Sequence, residues 1–374
     1  MRILVLSWRD PKHPLAGGAE QVMHEHMKGW AEAGHEVTFF SSKVDKLPEE
    51  EVLDGIKVVR GGHQYIGVQF AAFFYYLKNR ENFDFIVDQF HGIPFFTPLY
   101  SGKPKLAVIQ EAAREVWLLN PLPKPLNWIV GVIGYLGEPL IFKFYKRTPF
   151  MTASASARSD LMKLCIPEKN ITIVPHGVIL SKQVKGKWSK EKVKTLIFLG
   201  ALTRDKGIED ALDAFKILSK KGKYRFWVVG KGDSSKLKVK SSKLGIKNIK
   251  FWGYVSQKKK FELLARAHVM VNPSVREGWG LVNIEANAMG TPVVAYNSPG
   301  LVDSVKDGQS GIIVDQNSPS AIAEAVEEVL SDKKLYQKLQ KGAVEWSRQF
   351  SWEKSRRKSR LLVDRIFSQS YSNK

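Results

Sequence analysis

Short apolar runs alternate with stretches of helical periodicity along almost the whole chain. In the first half, a helical stretch covers residues 18–33 and apolar runs lie at 3–6, 36–40, 56–59, 85–87, 105–109 and 171–174. In the second half, apolar runs at 195–199, 225–229, 249–251, 268–271 and 292–295 alternate with helical patterns at 208–221, 234–244, 256–267 and 281–289. Strands and helices that alternate in this way indicate βαβ units and parallel sheets. The pattern therefore predicts two doubly wound α/β domains.

The length of the chain also favours two domains. Its 374 residues exceed the size of about 250–300 residues at which a single core usually stops growing. Residues 181–194 are polar, charged and without periodicity, as in an interdomain linker. We expect an N-terminal domain over 1–180, a C-terminal domain over 195–350, and a last helix within 351–374 that crosses back to the N-terminal domain.

One apolar and aromatic segment, residues 116–147, departs from the alternation. Its uninterrupted apolar part begins after Asn127 and stops at Glu138-Pro139, which is shorter than the ~20 residues of a spanning helix. Aromatic residues at its edges and lysines beside it suit a segment that lies in a membrane interface. An insertion helix that packs on its own domain explains the pattern equally well.

The formal net charge of +21 is concentrated in one region. Residues 181–260 contain 23 Lys or Arg and 6 Asp or Glu. Such an excess favours anionic lipid, a phosphorylated small molecule or nucleic acid, or else forms a solvated surface. Because the lysines lack interleaved aromatics and no nucleic-acid motif frames them, we do not expect nucleic acid as a partner.

The single cysteine and the N-terminus favour a cytoplasmic protein. Cys165 alone excludes an internal disulfide framework. The first apolar run is too short for a signal-peptide core and is followed at once by charged residues.

The strongest chemical signal is the segment Pro273-Ser-Val-Arg-Glu-Gly-Trp-Gly-Leu281, which follows a predicted strand and precedes a predicted helix. Gly278 and Gly280 let the backbone approach a ligand, and the helix start offers free N–H groups to a diphosphate. Glu277 precedes the helix, and Glu285 lies on an apolar helix where a carboxylate needs a partner. The structural alternative is a capping Glu and an exposed Glu.

Several other site types are missing from the sequence. It has no Gly-x-x-x-x-Gly-Lys-[Ser/Thr] loop, no Gly-x-Gly-x-x-Gly after the first strand and no Gly-x-Ser-x-Gly elbow. His24 and His26 point to different sides of a helix and make a poor metal pair. We expect no metal site.

The segment 277–285 resembles the Glu-x7-Glu signature of family 4 glycosyltransferases, which are retaining enzymes of the GT-B fold. Further landmarks of that family occur in order along most of the chain. They are Gly17-Gly18-Ala19-Glu20, Gly34-His35-Glu36, Pro175-His176-Gly177, Gly200 with Lys206-Gly207, Gly253-Tyr254-Val255, Gly300-Leu301 and Asp307-Gly308. The resemblance implies two Rossmann-like domains that face a cleft.

The resemblance also implies roles for individual residues. Glu277 would contact hydroxyls of the transferred sugar, and Lys206 would neutralise charge on the leaving phosphate. The donor-binding residues would be Gly18, Arg204, Val255, Gly278, Gly280, Leu281, Val282 and Glu285. The acceptor side would include Glu20, Glu111 and Arg114. The family needs no divalent metal and no cofactor besides the nucleotide sugar.

The sequence departs from the family at three positions. Ala201 stands where relatives usually carry an arginine, and Arg204 is the candidate replacement. Gln110-Glu111 stands where many relatives have a histidine that faces the sugar. His176 replaces the commoner Asn before Gly177, and we interpret it as a hinge residue.

The sequence therefore predicts a retaining glycosyltransferase that uses a nucleotide-diphosphate sugar. Its acceptor would be a glycan, lipid-linked or otherwise membrane-associated, met at the inner face of the cell membrane. The alternatives are a sugar-nucleotide epimerase of the same fold and, less favoured, a non-enzymatic two-domain ligand-binding protein.

Overall fold

The computed structural model describes residues 1–64, 67–90, 92–120, 122–179, 186 and 188–372. The strands of this part of the chain are β1 Arg2–Leu6, β2 Glu36–Ser41, β3 Glu50–Leu53, β4 Ile56–Arg60, β5 Phe85–Phe90, β6 Lys105–Ile109, β7 Phe150–Thr152, β8 Ile171–Ile173, β9 Lys194–Leu199, β10 Tyr224–Val229, β11 Ile249–Gly253, β12 Val269–Asn272, β13 Val293–Tyr296 and β14 Gly311–Val314. The α-helices are α1 Gly18–Glu32, α2 Gly67–Asn79, α3 Leu126–Phe144, α4 Ala155–Lys163, α5 Ile208–Lys221, α6 Ser235–Lys243, α7 Gln257–Arg266, α8 Leu281–Ala288, α9 Leu301–Ser304, α10 Pro319–Ser331, α11 Lys333–Ser347 and α12 Trp352–Ser372.

These elements form two compact units. Unit 1 comprises Met1–His176 together with Trp352–Lys374, and unit 2 comprises Gly177–Ser351. The first boundary therefore precedes the predicted linker, residues 181–194. Of that linker, residues 181–185 and 187 fall outside the described residues. The linker's last part belongs to unit 2, where Lys190 Nζ donates hydrogen bonds to the carbonyl of Ala267 and the hydroxyl of Thr291.

Unit 1 is built on a sheet with the strand order β3-β4-β2-β1-β5-β6-β7-β8. Its paired strands are parallel except β3, which pairs antiparallel with β4. Successive side chains of β5 and β6 point to opposite faces of the sheet, and a separate core covers each face. Val87 and Val108 pack with α1 and α12 on one face. Phe90 and Ile109 pack with α3 on the other face. Helix α2 covers that same opposite face next to α3.

The last helix, α12, is part of unit 1 and packs against α1. Trp30 is buried and donates its indole N–H to the hydroxyl of Ser359 at 3.2 Å. Arg356 forms ion pairs with Glu25 and Glu32. A glycine at position 29 is required for this approach, because a Cβ there would lie 2.6 Å from Cβ of Arg356.

Unit 2 is built on a parallel sheet with the strand order β11-β10-β9-β12-β13-β14. From β9 the chain proceeds in one direction through β10 and β11, and from β12 it proceeds in the other direction through β13 and β14. The order therefore reverses between β9 and β12, and in open α/β sheets ligands bind outside the carboxyl ends of the strands at such a reversal.

The predicted alternation agrees with this architecture, and the doubly wound α/β class is confirmed in both units. Several short elements were missed: β3, β7, β14, α2 and α4. The apolar run after Asn127 lies in α3, and this helix continues beyond Glu138-Pro139 to Phe144. The side chain of Glu138 is buried and accepts the backbone N–H groups of Ala113 and Arg114, so it stabilises the helix within unit 1 instead of ending it.

Two buried histidines should make unit 1 sensitive to acid. Burial lowers the pKa of His26 and of His176 to about 3, from an ordinary value of 6.5. Since the folded pKa is the lower one, the unfolded chain binds more protons as the pH falls below 6.5, and stability falls with it. Each histidine should lower the free energy of unfolding by about 2 kcal/mol between neutral pH and about pH 5.

Urea unfolding of His176→Asn at these two pH values tests this expectation. Between neutral pH and about pH 5, the two histidines together lower the free energy of unfolding of the wild type. In His176→Asn only His26 remains, so that decrease should be about half as large. The exposed His63→Asn should behave like the wild type. An unchanged pH dependence in His176→Asn would contradict the assignment.

Candidate functional site

The candidate site of unit 2 lies where the strand order reverses. Lys206 ends a short 3-10 helix, Arg204–Lys206, that follows β9, and Glu277 lies in the turn that follows β12. Because β9 and β12 are neighbours in the sheet, their carboxyl ends bring these side chains together. Lys206 Nζ is 3.0 Å from Oε1 of Glu277.

The turn after β12 is held between two other loops. On one side, the backbone N–H of Val275 donates to the carbonyl of Asp205 at 2.9 Å. On the other side, the N–H of Glu277 donates to the carbonyl of Pro299 at 3.0 Å. Gly300, with φ +79°, makes the second approach feasible, because a Cβ there would lie 2.0 Å from the carbonyl oxygen of Glu277. The position of Glu277 is thus fixed by its backbone.

Helix α8 begins immediately after this turn. Gly280 is its N-cap residue, in the left-handed conformation with φ +75° and ψ +54°. The amides of Leu281 and Val282 lie in the first turn, where backbone N–H groups have no intrahelical acceptor. Gly278 and Gly280 are both buried. The predicted start of the helix is confirmed, and the arrangement suits an anionic ligand.

A buried hydrogen-bond network packs against Gly280. The side-chain amide of Asn272 donates to Oδ1 of Asn283 at 2.8 Å, and the amide of Asn283 donates to the hydroxyl of Ser304 at 2.9 Å. All three side chains are buried. A Cβ at position 280 would lie 2.8 Å from both Asn283 Nδ2 and Ser304 Oγ. Only glycine therefore fits above this network.

The carboxylate of Glu277 is held by two side chains. Its Oε1 pairs with Lys206 and accepts a hydrogen bond from the hydroxyl of Ser274 at 3.1 Å. The Glu277 side chain is 20% exposed, so it can still meet a ligand. Its other oxygen, Oε2, accepts no hydrogen bond within the part of the chain that the structure describes.

The carboxylate of Glu285 is buried, with 4% of its side chain exposed, and Lys260 of α7 pairs with it. The distance from Lys260 Nζ to Glu285 Oε1 is 2.5 Å. Sequence reasoning anticipated that an inward Glu285 needs a partner but did not identify Lys260. The available signal was weak, because Lys258, Lys259 and Lys260 are consecutive and only tertiary packing distinguishes them.

The remaining donor-side candidates lie in or near loops. Arg204 is exposed, and no described residue forms an ion pair with it. Val255 is half-buried after β11, next to Tyr254, which is 73% exposed and lies beneath the ammonium of Lys231. Gly18 is the first residue of α1 in unit 1, where a Cβ would meet nothing within 4 Å. Their predicted roles stay predictions.

The acceptor-side candidates are brought together only in part. Glu20 is buried, pairs with Arg9 at 2.9 Å and accepts the N–H of Gly17, so it caps α1. Glu111 and Arg114 both follow β6, and Arg114 lies 5.7 Å from the ring centroid of Tyr135 on α3. Glu20 therefore has a structural role that accounts for its burial, whereas Glu111 and Arg114 remain candidates.

Gln110, which stands where the resemblance implies a histidine, is hydrogen-bonded to His176. Its Oε1 lies 2.7 Å from Nε2 of His176. Because an amide oxygen only accepts, Nε2 carries the proton. His176 is the last residue of unit 1 before the boundary, and it is buried. The sequence did not indicate this contact between Gln110 and His176.

Two protein-family models match successive parts of the chain. The model described as "Glycosyl transferases group 1" covers residues 181–346, and the model described as "Glycosyltransferase Family 4" covers residues 16–182. A capsular polysaccharide biosynthesis glycosyltransferase of Staphylococcus aureus, CapM, is 31% identical over 260 residues, which are 63% of this chain and 67% of the relative.

The chain belongs to glycosyltransferase family 4.

Solved structures show that this glycosyltransferase has the GT-B fold. Sucrose-phosphate synthase from Thermosynechococcus elongatus superposes with a TM-score of 0.79 at 18% identity, covering all of both chains. HepE from Anabaena, in complex with UDP-glucose, superposes with a TM-score of 0.71 at 15% identity, again covering all of both chains. At these identities the similarity concerns the fold.

Position 201, where the resemblance implies an arginine, is an alanine. Ala201 is exposed in the loop after β9, and Lys206 is the cation that the structure places on Glu277. Among the described residues, no three His, Cys, Asp or Glu side chains are grouped as metal ligands.

Substitution of Gly300 by alanine tests the geometry of the turn. Gly300→Ala should displace Glu277 and the start of α8, and it should weaken nucleotide binding about tenfold or more, as measured by calorimetry. Gly308→Ala is the matched control, because Gly308 has φ +66° but open space around a Cβ. Both positions have positive φ, so alanine carries some backbone strain in either variant, and only Gly300→Ala adds a clash. Equal nucleotide affinity in the two variants would contradict the assigned geometry.

Proposed function

We propose that this glycosyltransferase is a retaining, metal-independent enzyme that moves a sugar from a nucleotide-diphosphate donor to a hydroxyl acceptor. The observation that carries the proposal is the start of α8, with one lysine-paired carboxylate on each side of the first turn. Glu277 precedes the turn and Glu285 follows it. HepE, which has the same fold, was solved with UDP-glucose.

The donor's groups can be assigned to features of unit 2. The diphosphate would bind the amides of Gly280, Leu281 and Val282, where the helix dipole favours negative charge. Glu285 would accept hydrogen bonds from the ribose, and Glu277 from hydroxyls of the sugar. The backbone at Val255 would meet the base, and Arg204 would add positive charge near the phosphates.

Lys206 would change partner when the donor binds. In the structure it neutralises Glu277 at 3.0 Å. The donor's diphosphate carries two negative charges and the Glu277 carboxylate carries one, so the diphosphate would draw the ammonium toward the leaving group. Glu277 would then be free to accept sugar hydroxyls, and Lys206 would stabilise the charge that develops on the leaving phosphate.

The proposed reaction is a front-face displacement. The bond between the anomeric carbon and the donor's phosphate oxygen breaks, and a bond from the acceptor oxygen forms on the same face. The acceptor's proton passes to the leaving phosphate, so the products are the glycoside and the nucleoside diphosphate. The configuration at the anomeric carbon is retained.

The acceptor is proposed to be a lipid-linked or otherwise membrane-associated glycan, because α3 exposes an apolar stripe. Every member of the stripe is between 46% and 66% exposed. Its members are Leu126, Ile129, Ile133, Leu136, Leu140 and Phe144. Their spacing of three or four residues places them on one face of the helix. We call these six residues the α3 stripe.

Helix α2, on the same face of the sheet, exposes a second stripe. Phe70, Phe74 and Leu77 are 63%, 64% and 41% exposed and are also spaced by three or four residues. The segment after β5 contacts both helices: the ring centroids of Phe96 and Phe144 of α3 are 6.2 Å apart, and those of Tyr100 and Phe73 of α2 are 5.0 Å apart. Large exposed apolar surfaces of this kind mark interaction sites.

Charge favours an anionic membrane as the partner of this face. Helix α2 contains no acidic residue, and the one acid of α3, Glu138, is buried and bound to backbone amides. Lys143, Lys146 and Arg147 are exposed at the end of α3. Apolar side chains flanked by basic ones suit a peripheral position at an anionic lipid surface.

No helix in the described part of the chain has both the length and the apolar character needed to cross a membrane. We propose peripheral attachment at the inner face of the cell membrane, with the catalytic units in the cytoplasm.

A nucleotide screen tests the donor half of the proposal. Calorimetry with UDP, GDP and ADP, and then with their sugar conjugates, should find at least one ligand, and Glu285→Ala should weaken its binding at least tenfold. Glu324→Ala, an exposed glutamate of α10, is the control and should bind normally. Binding of none of these nucleotides, or binding unaffected by Glu285→Ala, would refute the site. An isomerised nucleotide sugar formed without an acceptor would favour an epimerase.

Vesicle sedimentation tests the membrane half. The protein should bind phosphatidylcholine–phosphatidylglycerol vesicles at physiological salt, and changing Ile133, Leu136 and Leu140 together to Ser should reduce partitioning about tenfold or more. Val239→Ser with Val302→Ser, which removes exposed apolar residues of unit 2, should leave it unchanged. Wild-type protein that stays in the supernatant would refute the attachment, and a concentration-dependent dimer that the triple variant abolishes would reassign the face to self-association.

A further inference from the structure

The ion pair between Lys260 and Glu285 connects two helices of unit 2. Lys260 is the fourth residue of α7, and Glu285 is the fifth residue of α8. Only 18% of the Lys260 side chain and 4% of the Glu285 side chain are exposed. The pair is therefore largely removed from solvent, unlike most lysine–carboxylate pairs on a protein surface.

The neighbouring lysines have other environments. Lys259 pairs with Glu262 at 2.8 Å within the same helix and lies 5.0 Å from the ring centroid of Trp252. Lys258 is exposed, and no described residue pairs with it. Of the three consecutive lysines, Lys260 is the one that reaches α8. Its ammonium also lies 5.1 Å from the ring centroid of Phe261.

The pair leaves half of the carboxylate available. Lys260 occupies Oε1 of Glu285, and no described residue donates a hydrogen bond to Oε2. The carboxylates of Glu277 and Glu285 therefore share one arrangement, in which a lysine holds one oxygen and the other accepts no hydrogen bond from a residue that the structure describes. A buried carboxylate without a countercharge is costly, so the lysine helps to hold the Glu285 carboxylate in this position.

A second electrostatic reason concerns the diphosphate. Glu285 lies four residues beyond Leu281, a rise of about 6 Å along the helix. An uncompensated negative charge at that distance in a partly desolvated site would repel a diphosphate bound at the first turn. A lysine on Glu285 removes that repulsion without occupying the phosphate site.

We infer that Lys260 is a positioning residue of the nucleotide site, which orients Glu285 and neutralises its charge against the donor's diphosphate. The inference rests on the proposed function, because it assigns the ligand of Glu285 as the ribose of a nucleoside diphosphate. Lys260 acts through Glu285 and does not itself bind the nucleotide.

Calorimetry with UDP, GDP and ADP on Lys260→Met tests the inference. Binding of the nucleotide that the wild type selects should weaken about tenfold or more. Lys260→Arg should restore most of the affinity. Lys259→Met, adjacent in sequence but paired with Glu262, should bind as the wild type does.

A double-mutant cycle separates a positioning role from direct contact. If Lys260 acts through Glu285, Lys260→Met should cost little further affinity when Glu285 is already Gln. The double variant has no unpaired buried charge, so this comparison also serves if Lys260→Met alone folds poorly. An equal loss in both backgrounds would overturn the inference, as would wild-type affinity in Lys260→Met.

The outcomes also distinguish this inference from the proposed function. A wild-type protein that binds none of the three nucleotides would refute both. Wild-type binding that depends on Glu285 but not on Lys260 would refute the inference alone.

Discussion

A carboxylate removed from water needs a countercharge, and the candidate site of unit 2 depends on how this requirement is met. Lysines from two different elements hold Glu277 and Glu285 by one oxygen each. Both carboxylates thereby stay available as acceptors on either side of a helix start that favours anions. Without the lysines, the same helix start would lie between two negative charges and would repel a diphosphate. In the proposed function, the ion pairs would allow a backbone anion site to lie beside carboxylates that accept hydrogen bonds from hydroxyls.

The backbone beneath these side chains is fixed by contacts that leave no room for adjustment. Gly207 and Gly300 let their loops lie against Pro273 and Glu277, where a Cβ would come within 2.0 Å of a carbonyl oxygen. Asn283 and Ser304 lie directly under Gly280. A ligand held by backbone amides gains most when those amides are already in place, because their ordering then costs nothing on binding. The buried polar groups and the glycines therefore have one effect in common: they fix the backbone of the first turn of α8 before a ligand binds.

Much of this could be predicted from the sequence, and the failures have physical causes. The apolar runs of β1, β6 and β9 were found because buried parallel strands are continuously hydrophobic, and α8 was placed because Gly280 marks its start. The sequence did not indicate Lys260 or Gln110–His176, since both are contacts between elements distant in the chain. Helix α2 was missed because Phe70, Phe74 and Leu77 are exposed. The helix therefore has apolar residues on its outer face as well as on its inner face, and the sequence shows no amphipathic pattern. The burial of Glu138 was not predicted, because the backbone amides that it accepts lie 24 and 25 residues earlier in the chain.

The contact of Gln110 with His176 bears on how the acceptor would lose its proton. Burial lowers the pKa of His176 to about 3, and its Nε2 already donates to Gln110, so at neutral pH this histidine is uncharged and has no free proton to exchange at that nitrogen. Gln110 stands where the resemblance to family 4 implies a histidine that faces the sugar. A side-chain base at that position would need a nitrogen that is accessible and has a pKa near the working pH. His176 meets neither condition, which favours the proposed route in which the leaving phosphate receives the proton, with Lys206 balancing the charge of that phosphate.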